Sequence, residues 1–149
     1  MSGVIDTNLL LYAVNGDAPE HDKAFAFLAE AGRSGAGWCL TEGIVYEFLR
    51  VSTHPRVFGK PLTSAQALSF LRPFLESPRF SMLVAGPRHW ATLGQVLAEE
   101  RRASGNLFFD LRTVVLMREH GLRRIYTADT DFLRFRSVEV VNPVEGATG

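Results

Sequence analysis

The sequence is poor in several residue types, and each shortage excludes a class of protein. Its single cysteine, Cys39, has no partner for an internal disulfide, which is typical of a reducing compartment. No apolar run approaches the roughly 18 residues that a membrane-spanning helix needs. The first residues lack the basic and apolar segments of a secretory signal. We therefore expect a soluble cytoplasmic protein that has no membrane partner.

Charged residues are unevenly distributed along the chain, and histidine, a common metal ligand, is scarce. The formal net charge is zero, so composition alone indicates no charged partner. Only four histidines are present, and none has the spacing of a zinc motif. Residues 101–136 nevertheless contain eight arginines and only four acids. Arginine suits phosphate oxygens, although such clusters are also common on solvated helix faces.

The pattern of apolar residues predicts an α/β fold. The 149 residues predict a single domain, 1–149, in which about 143–149 form a loose C-terminal tail. Short apolar segments alternate with amphipathic ones, which favours a three-layer α/β/α arrangement with a short, mainly parallel central sheet. The predicted strands cover residues 3–5, 38–40, 80–85, 124–127 and 138–141. In such sheets, ligands bind beyond the carboxyl ends of the strands.

Local signals predict where the helices begin and end. Thr41 is a predicted N-cap, and residues 63–66 form a capping box. Asp17 is a plausible N-cap of a second helix. Pro73 should kink or end the helix that contains it. The helix that begins at Pro87 should run to about Ala103.

Five acidic residues lie in unusually apolar surroundings. Asp6 directly follows the first predicted strand, and Asp129 follows the fourth, with Asp131 two residues later. Glu47 and Asp110 lie within predicted helices, each next to aromatic residues. Burying a lone carboxylate is costly unless a positive charge meets it. The sequence therefore predicts a counter-charge for these acids.

Two kinds of counter-charge fit this pattern. In the first, Arg50 pairs with Glu47 and Arg112 pairs with Asp110, while Asp6 and Asp129 act only as helix N-caps. In the second, the acids converge on a divalent cation. Carboxylates and water are the ligands that Mg²⁺ and Mn²⁺ prefer, and converging carboxylates repel one another without a cation. Such a centre activates a water molecule and suits phosphodiester hydrolysis.

The acidic residues belong to segments that resemble a known family. These are Val4-Ile5-Asp6-Thr7-Asn8, Tyr46-Glu47-Phe48-Leu49-Arg50-Val51, Gly105-Asn106 before Asp110, Thr127-Ala128-Asp129-Thr130-Asp131-Phe132, and the segment Ser52-Thr53-His54-Pro55-Arg56-Val57-Phe58. In order and spacing they resemble the PIN-domain ribonucleases, and in particular the VapC toxins of bacterial type II toxin–antitoxin pairs. The resemblance extends along nearly the whole chain.

The resemblance implies a PIN-like fold and a Mg²⁺- or Mn²⁺-dependent endoribonuclease that uses metal-activated water. It implies catalytic and metal-binding roles for Asp6, Glu47, Asp110 and Asp129, with Asp131 as a further metal ligand. It implies supporting roles for Thr7, Asn8 and Thr127. Arg112 departs from the family pattern, so it either pairs with Asp110 or binds RNA; Arg134 is a second candidate for RNA binding.

The resemblance also implies partners. VapC toxins are usually homodimers, and they are neutralised by a small antitoxin whose tail enters the active site, often with an arginine that mimics the cation. RNA is the implied substrate. The apolar residues Phe70, Phe74 and Leu75 either pack in the core or contribute to the dimer interface.

Other readings of the first strand and its aspartate fit less well. A haloacid-dehalogenase phosphatase needs a second aspartate where this chain has Asn8, and a phosphorelay receiver needs a late lysine, whereas the two lysines are Lys23 and Lys60. No glycine-rich phosphate loop is present. The remaining alternative is a catalytically inactive PIN-like domain that binds RNA or acts as a scaffold. Such a domain would not need five acids.

Overall fold

A parallel sheet forms the centre of the protein. The computed structural model describes residues 3–35 and 37–147. Its strands are β1 (Val4–Ile5), β2 (Trp38–Thr41), β3 (Phe80–Leu83), β4 (Arg124–Tyr126) and β5 (Glu139–Val141). They lie in the order β3-β2-β1-β4-β5, and every pairing is parallel.

Helices cover both faces of this sheet. They are α1 (Thr7–Val14), α2 (His21–Arg33), α3 (Glu42–Ser52), α4 (Ser64–Glu76), α5 (His89–Glu99), α6 (Leu107–Glu119) and a short 3₁₀ helix, η1 (Thr130–Arg134). Connections between parallel strands are right-handed crossovers. The connections β1–β2 and β2–β3 therefore place α1–α4 on one face of the sheet, and the connection from β3 to β4 places α5 and α6 on the other face. Accordingly, α1 packs on α2 and α3, and α5 packs on α6. The predicted three-layer α/β/α fold is confirmed.

Two of the predicted helix starts are confirmed by hydrogen bonds, and other predicted helix ends differ from the structure. Thr41 Oγ1 accepts a hydrogen bond from the backbone N–H of Ile44, and the capping box of α4 is present. The prediction for Asp17 was wrong, because residues 15–20 form turns and α2 begins at His21. Helix α5 runs from His89 to Glu99, rather than from Pro87 to about Ala103 as predicted. Helix α4 continues past Pro73 to Glu76.

The core lies around β1. Val4 and Ile5 are fully buried. A Cβ atom at Gly3 would lie 2.5 Å from the carbonyl oxygen of Arg124, so only glycine lets the chain approach β4 this closely at the start of β1. Phe70 stacks on Phe48 at 5.2 Å between ring centroids. Phe70 and Phe74 are therefore core-packing residues, while Leu75 is 41% exposed.

The C-terminal segment contacts the rest of the domain as far as the structure describes it. Val144 is buried, and Lys23 Nζ donates a hydrogen bond to the carbonyl of Glu145. Residues 148 and 149, part of the predicted tail, lie outside the described residues. Within residues 3–35 and 37–147, no helix is both long enough and apolar enough to cross a bilayer.

The strand order determines where polar side chains meet. The chain proceeds from β1 towards β3 on one side and from β4 to β5 on the other, so the order reverses between β1 and β4. Ligands of open α/β sheets bind outside the carboxyl ends at such a reversal. Asp6 directly follows β1, and Asp129 follows β4 after two residues. Both therefore lie at this edge.

Candidate active site

Asp6 is a buried carboxylate at the end of β1. Only 8% of the residue is exposed. Its Oδ1 accepts a hydrogen bond of 2.8 Å from the backbone N–H of Thr7, which caps α1. Its Oδ2 accepts hydrogen bonds from Thr127 Oγ1 at 2.7 Å and Asn8 Nδ2 at 3.3 Å. These donors hold the carboxylate in one orientation.

The hydroxyl of Thr127 connects the ends of β1 and β4. It accepts hydrogen bonds from Asn8 Nδ2 at 2.8 Å and from the backbone N–H of Asp129 at 3.0 Å. Because both of its lone pairs are occupied, its own proton must point to Asp6 Oδ2. Asn8 Oδ1 accepts from the backbone N–H of Ala128 at 3.1 Å, which fixes the orientation of the amide. The network thereby holds the segment after β1 in a fixed position relative to the segment after β4.

Four further acids approach this edge from other elements. Asp129 Oδ1 caps η1 by accepting from the backbone N–H of Asp131 at 2.9 Å. Helix α6 supplies Asp110, and carboxylate oxygens of Asp110, Asp129 and Asp131 all lie within 4.8 Å of one another. Helix α3 supplies Glu47. Three layers of the fold therefore contribute carboxylates to one region.

One cavity of about 870 Å³ collects these side chains. Six acids line it: Asp6, Glu42, Glu47, Asp110, Asp129 and Asp131. Two arginines, Arg50 and Arg112, also line it. The five acids that the sequence singled out therefore lie in a common cavity, and the acids outnumber the cations three to one.

The electrostatics of Asp110 show that the acids lie within range of one another. Burial is the largest cause that raises its pKa, followed by the charges of Asp129, Asp6, Asp131 and Glu47 in that order, and together they raise it to about 7. Without a cation, this carboxyl group is close to half protonated at neutral pH.

Burial also dominates at the other two perturbed acids. It raises the pKa of Asp6 to about 6, against the hydrogen bonds from Thr127 and Thr7. At Glu47, burial raises the pKa while the charge of Arg50 lowers it. The site is therefore under electrostatic strain that bound positive charge would relieve.

The arginines form no close ion pair with the predicted acids. Among the described residues, neither Arg50 nor Arg112 has a salt bridge, so the predicted Arg50–Glu47 and Arg112–Asp110 pairs are not formed, although the charge of Arg50 still lowers the pKa of Glu47. Arg112 Nη1 instead lies 2.6 Å from the point where a side chain at Gly43 would place its Cβ, against the first turn of α3. A side chain at position 43 would therefore require the flexible guanidinium of Arg112 to shift. The N-cap roles predicted for Asp6 and Asp129 are present, but both residues also line the cavity.

Not every predicted residue lines the cavity. Arg134 is absent from its lining and pairs with Glu100 at 3.2 Å. The lining also contains residues that were not predicted as part of the site, among them Glu42, Tyr46, Asn106 and Phe109. The available signal for Tyr46 and Phe109 was their position, because each immediately precedes a predicted acidic ligand on a helix.

The donor set fits a hard divalent cation. Six carboxylates line the cavity, and among the residues that the structure describes no histidine, cysteine or lysine lines it. Oxygen-only sites of this kind favour Mg²⁺ or Mn²⁺ over zinc. The raised pKa values of Asp6 and Asp110 are also what a cation would reverse. Asp110, Asp129 and Asp131 are close enough to share one ion.

Comparison with known proteins identifies the family of this fold. The family model of the PIN domain matches residues 3–138. The chain belongs to the PIN-domain family. The fold and family predicted from the sequence are therefore confirmed, and the acids of the cavity lie within the matched region.

The similar proteins come from the VapC group of PIN domains. The chain is 34% identical to ribonuclease VapC24 of Mycobacterium tuberculosis, over 94% of this chain and 95% of that protein. It is 32% identical to ribonuclease VapC48 of the same organism, over 98% and 100%. The domain is thus similar to these ribonucleases over nearly its full length.

Solved structures support the same fold. A VapBC2 structure from Rickettsia felis, bound to a promoter DNA fragment, matches with a TM-score of 0.66 and 18% identity, covering 95% of this chain and 98% of that one. VapC20 of Mycobacterium tuberculosis, described as a toxin that cleaves the sarcin–ricin loop, matches with a TM-score of 0.63 and 16% identity, over 93% and 99%. At this identity the likeness concerns the fold.

Proposed function

We propose that this PIN domain is a Mg²⁺- or Mn²⁺-dependent endoribonuclease and the toxin of a type II toxin–antitoxin pair. Family membership and the similarity to VapC ribonucleases support a nuclease, which is a hydrolase acting on phosphodiester bonds. The observation that carries metal dependence is the cavity in which carboxylates from both helical layers and from two strand ends converge.

In this proposal Asp6, Glu47, Asp110, Asp129 and Asp131 hold the cation. When bound, a divalent cation lowers the pKa of a coordinated water and offsets charge on a phosphate. Thr127 and Asn8 orient Asp6 by donating to its Oδ2, and the backbone N–H of Thr7 donates to its Oδ1. Arg50 and Arg112 bind phosphate oxygens of RNA beside the acids.

The partner in this proposal is a small antitoxin that presents a basic segment to the cavity. Six acids and two arginines line that cavity, so a cationic side chain would gain favourable interactions there. The similarity to VapC proteins supports this partner. The homodimer and the cytoplasmic location stay predictions from the sequence.

The test is cleavage of RNA by purified protein. We expect cutting with Mg²⁺ or Mn²⁺, none after chelation with EDTA, and recovery when the metal is restored. Because water is the nucleophile, the new ends should carry no 2′,3′-cyclic phosphate, whereas attack by the RNA 2′-hydroxyl would leave one.

Two results would contradict the proposal. Cleavage by the purified protein that persists in EDTA and leaves cyclic phosphate ends would show a metal-independent reaction in which the RNA 2′-hydroxyl is the nucleophile. A folded protein that binds RNA but never cuts it with either metal would favour the inactive RNA-binding alternative.

A further inference from the structure

Two large aromatic rings are exposed at the acidic cavity. Tyr46 on α3 is 69% exposed and Phe109 on α6 is 71% exposed, yet both line the cavity. Each directly precedes a proposed metal ligand, Glu47 or Asp110. Since α3 and α6 belong to opposite helical layers, the rings approach the acids from the two sides of the sheet.

The aromatic packing of the fold does not involve these two rings. Within the described residues, neither ring packs against another aromatic side chain, and the hydroxyl of Tyr46 makes no hydrogen bond. Phe48, two residues after Tyr46, is in contrast fully buried and stacks on Phe70. An exposed pair of rings beside a reactive centre is a common mark of a binding site.

We propose that Tyr46 and Phe109 are stacking platforms for the nucleobases on either side of the scissile phosphate. This inference rests on the proposed ribonuclease function. Stacking of this kind requires bases that are unpaired, as in a single strand or a loop, because bases inside a duplex are already stacked on their neighbours and cannot reach a protein ring.

The charges around the rings favour a nucleic acid as the occupant. Arg50 and Arg112 line the same cavity, and among the described residues neither forms an ion pair. The cavity therefore presents, side by side, aromatic faces for bases, guanidinium groups for phosphates and acids for a cation. The rings match the bases of an RNA strand and the guanidinium groups match its phosphates, while a cation held by the acids would offset charge at the scissile phosphate. The basic antitoxin segment proposed above would match the acids but would meet like charge at the two arginines.

Fluorescence of 2-aminopurine tests the stacking directly. The probe is a single-stranded oligoribonucleotide with 2-aminopurine beside the mapped cleavage position, bound to Asp110→Asn in Mg²⁺ so that it is not cut. We expect quenching of the probe on binding, at least a twofold loss of that quenching in Tyr46→Ala or Phe109→Ala, and about tenfold weaker binding. Tyr46→Phe and Phe109→Tyr should restore both.

A matched control separates stacking from a general loss of apolar surface. Phe25 on α2 is 58% exposed and does not line the cavity, so Phe25→Ala should change neither quenching nor affinity. All the altered side chains are exposed, so we expect unchanged melting temperatures.

Removal of a base tests the same contact from the RNA side. An abasic nucleotide beside the cleavage position should lower kcat/KM about tenfold for the wild type and less than twofold for the alanine variant of the matching ring. If the loss caused by the abasic nucleotide and the loss caused by the alanine substitution multiply fully when combined, the ring does not contact that base and the inference is overturned. It is also overturned if the alanine variants bind and cut RNA like wild type, and the rings then belong to a protein-docking surface. A wild type that quenches the probe but never cuts RNA would refute the ribonuclease and leave the stacking intact.

Discussion

The substitution Asp110→Asn is expected to lower RNA cleavage by at least about 10³-fold while leaving the protein folded. Asp110 is the acid whose pKa all four other predicted acids raise, which makes it the electrostatic centre of the site. An amide of nearly the same size removes one negative charge and one strong oxygen ligand from the centre. The measurement is kcat/KM for a single-stranded RNA, with circular dichroism to confirm the fold.

A distant acid supplies the control for this variant. Asp17 is exposed in the turn before α2 and does not line the cavity, so Asp17→Asn should cut RNA like wild type. Equal cutting by wild type and Asp110→Asn would place the chemistry elsewhere or assign it to a contaminating enzyme.

The second large effect concerns the pH dependence of the metal-free protein. In the folded state the pKa of Asp6 is raised to about 6 and that of Asp110 to about 7, so between about pH 4 and 7 the folded protein binds more protons than the unfolded one. The free energy of unfolding must therefore fall as pH rises through this window. We expect the melting temperature in EDTA to be lower at pH 7.5 than at pH 5, a shift measurable by scanning calorimetry.

We expect the pH dependence of the melting temperature to change when Asp110 is substituted and when metal is added. Asp110→Asn cannot ionise, so it should flatten the pH dependence and raise the melting temperature in EDTA at pH 7.5 by roughly 3 to 8 °C. Mn²⁺ should stabilise the wild type at pH 7.5 more than at pH 5, because cation and protons compete for the same oxygens. A metal-free protein that gains stability between pH 5 and 7.5 would show that these carboxyls are not strained in the fold.

The strand-end part of the site was predictable from the sequence. Asp6 and Asp129 each follow a short apolar strand, and parallel strands bring their carboxyl ends to one edge. Glu47 and Asp110 were predictable as unusual acids within apolar helices, and the family resemblance placed all of them together. The hydrogen bonds of Thr127 were not predictable, because they depend on the register between β1 and β4.

Side-chain direction on the helices explains what the sequence could not predict. Spacing placed Arg112 near Asp110, yet its guanidinium lies against Gly43 on another helix. Tyr46 and Phe109 were indistinguishable by composition from core aromatics such as Phe48, and only the packing shows which rings are left exposed. The N-cap signal at Asp17 did not start α2, because Asn15 organises a turn there through its side chain and carbonyl.

Calorimetric titration of the metal-free protein with Mn²⁺ tests directly whether these acids form a cation site. At about pH 6.5 we expect saturable binding with release of roughly one proton, seen as a dependence of the heat on the buffer, and almost no proton release near pH 8. Asp110→Asn should bind at least about tenfold more weakly, whereas Asp17→Asn should match the wild type. Identical titrations of wild type and Asp110→Asn, or no saturable binding at millimolar Mn²⁺, would contradict the account.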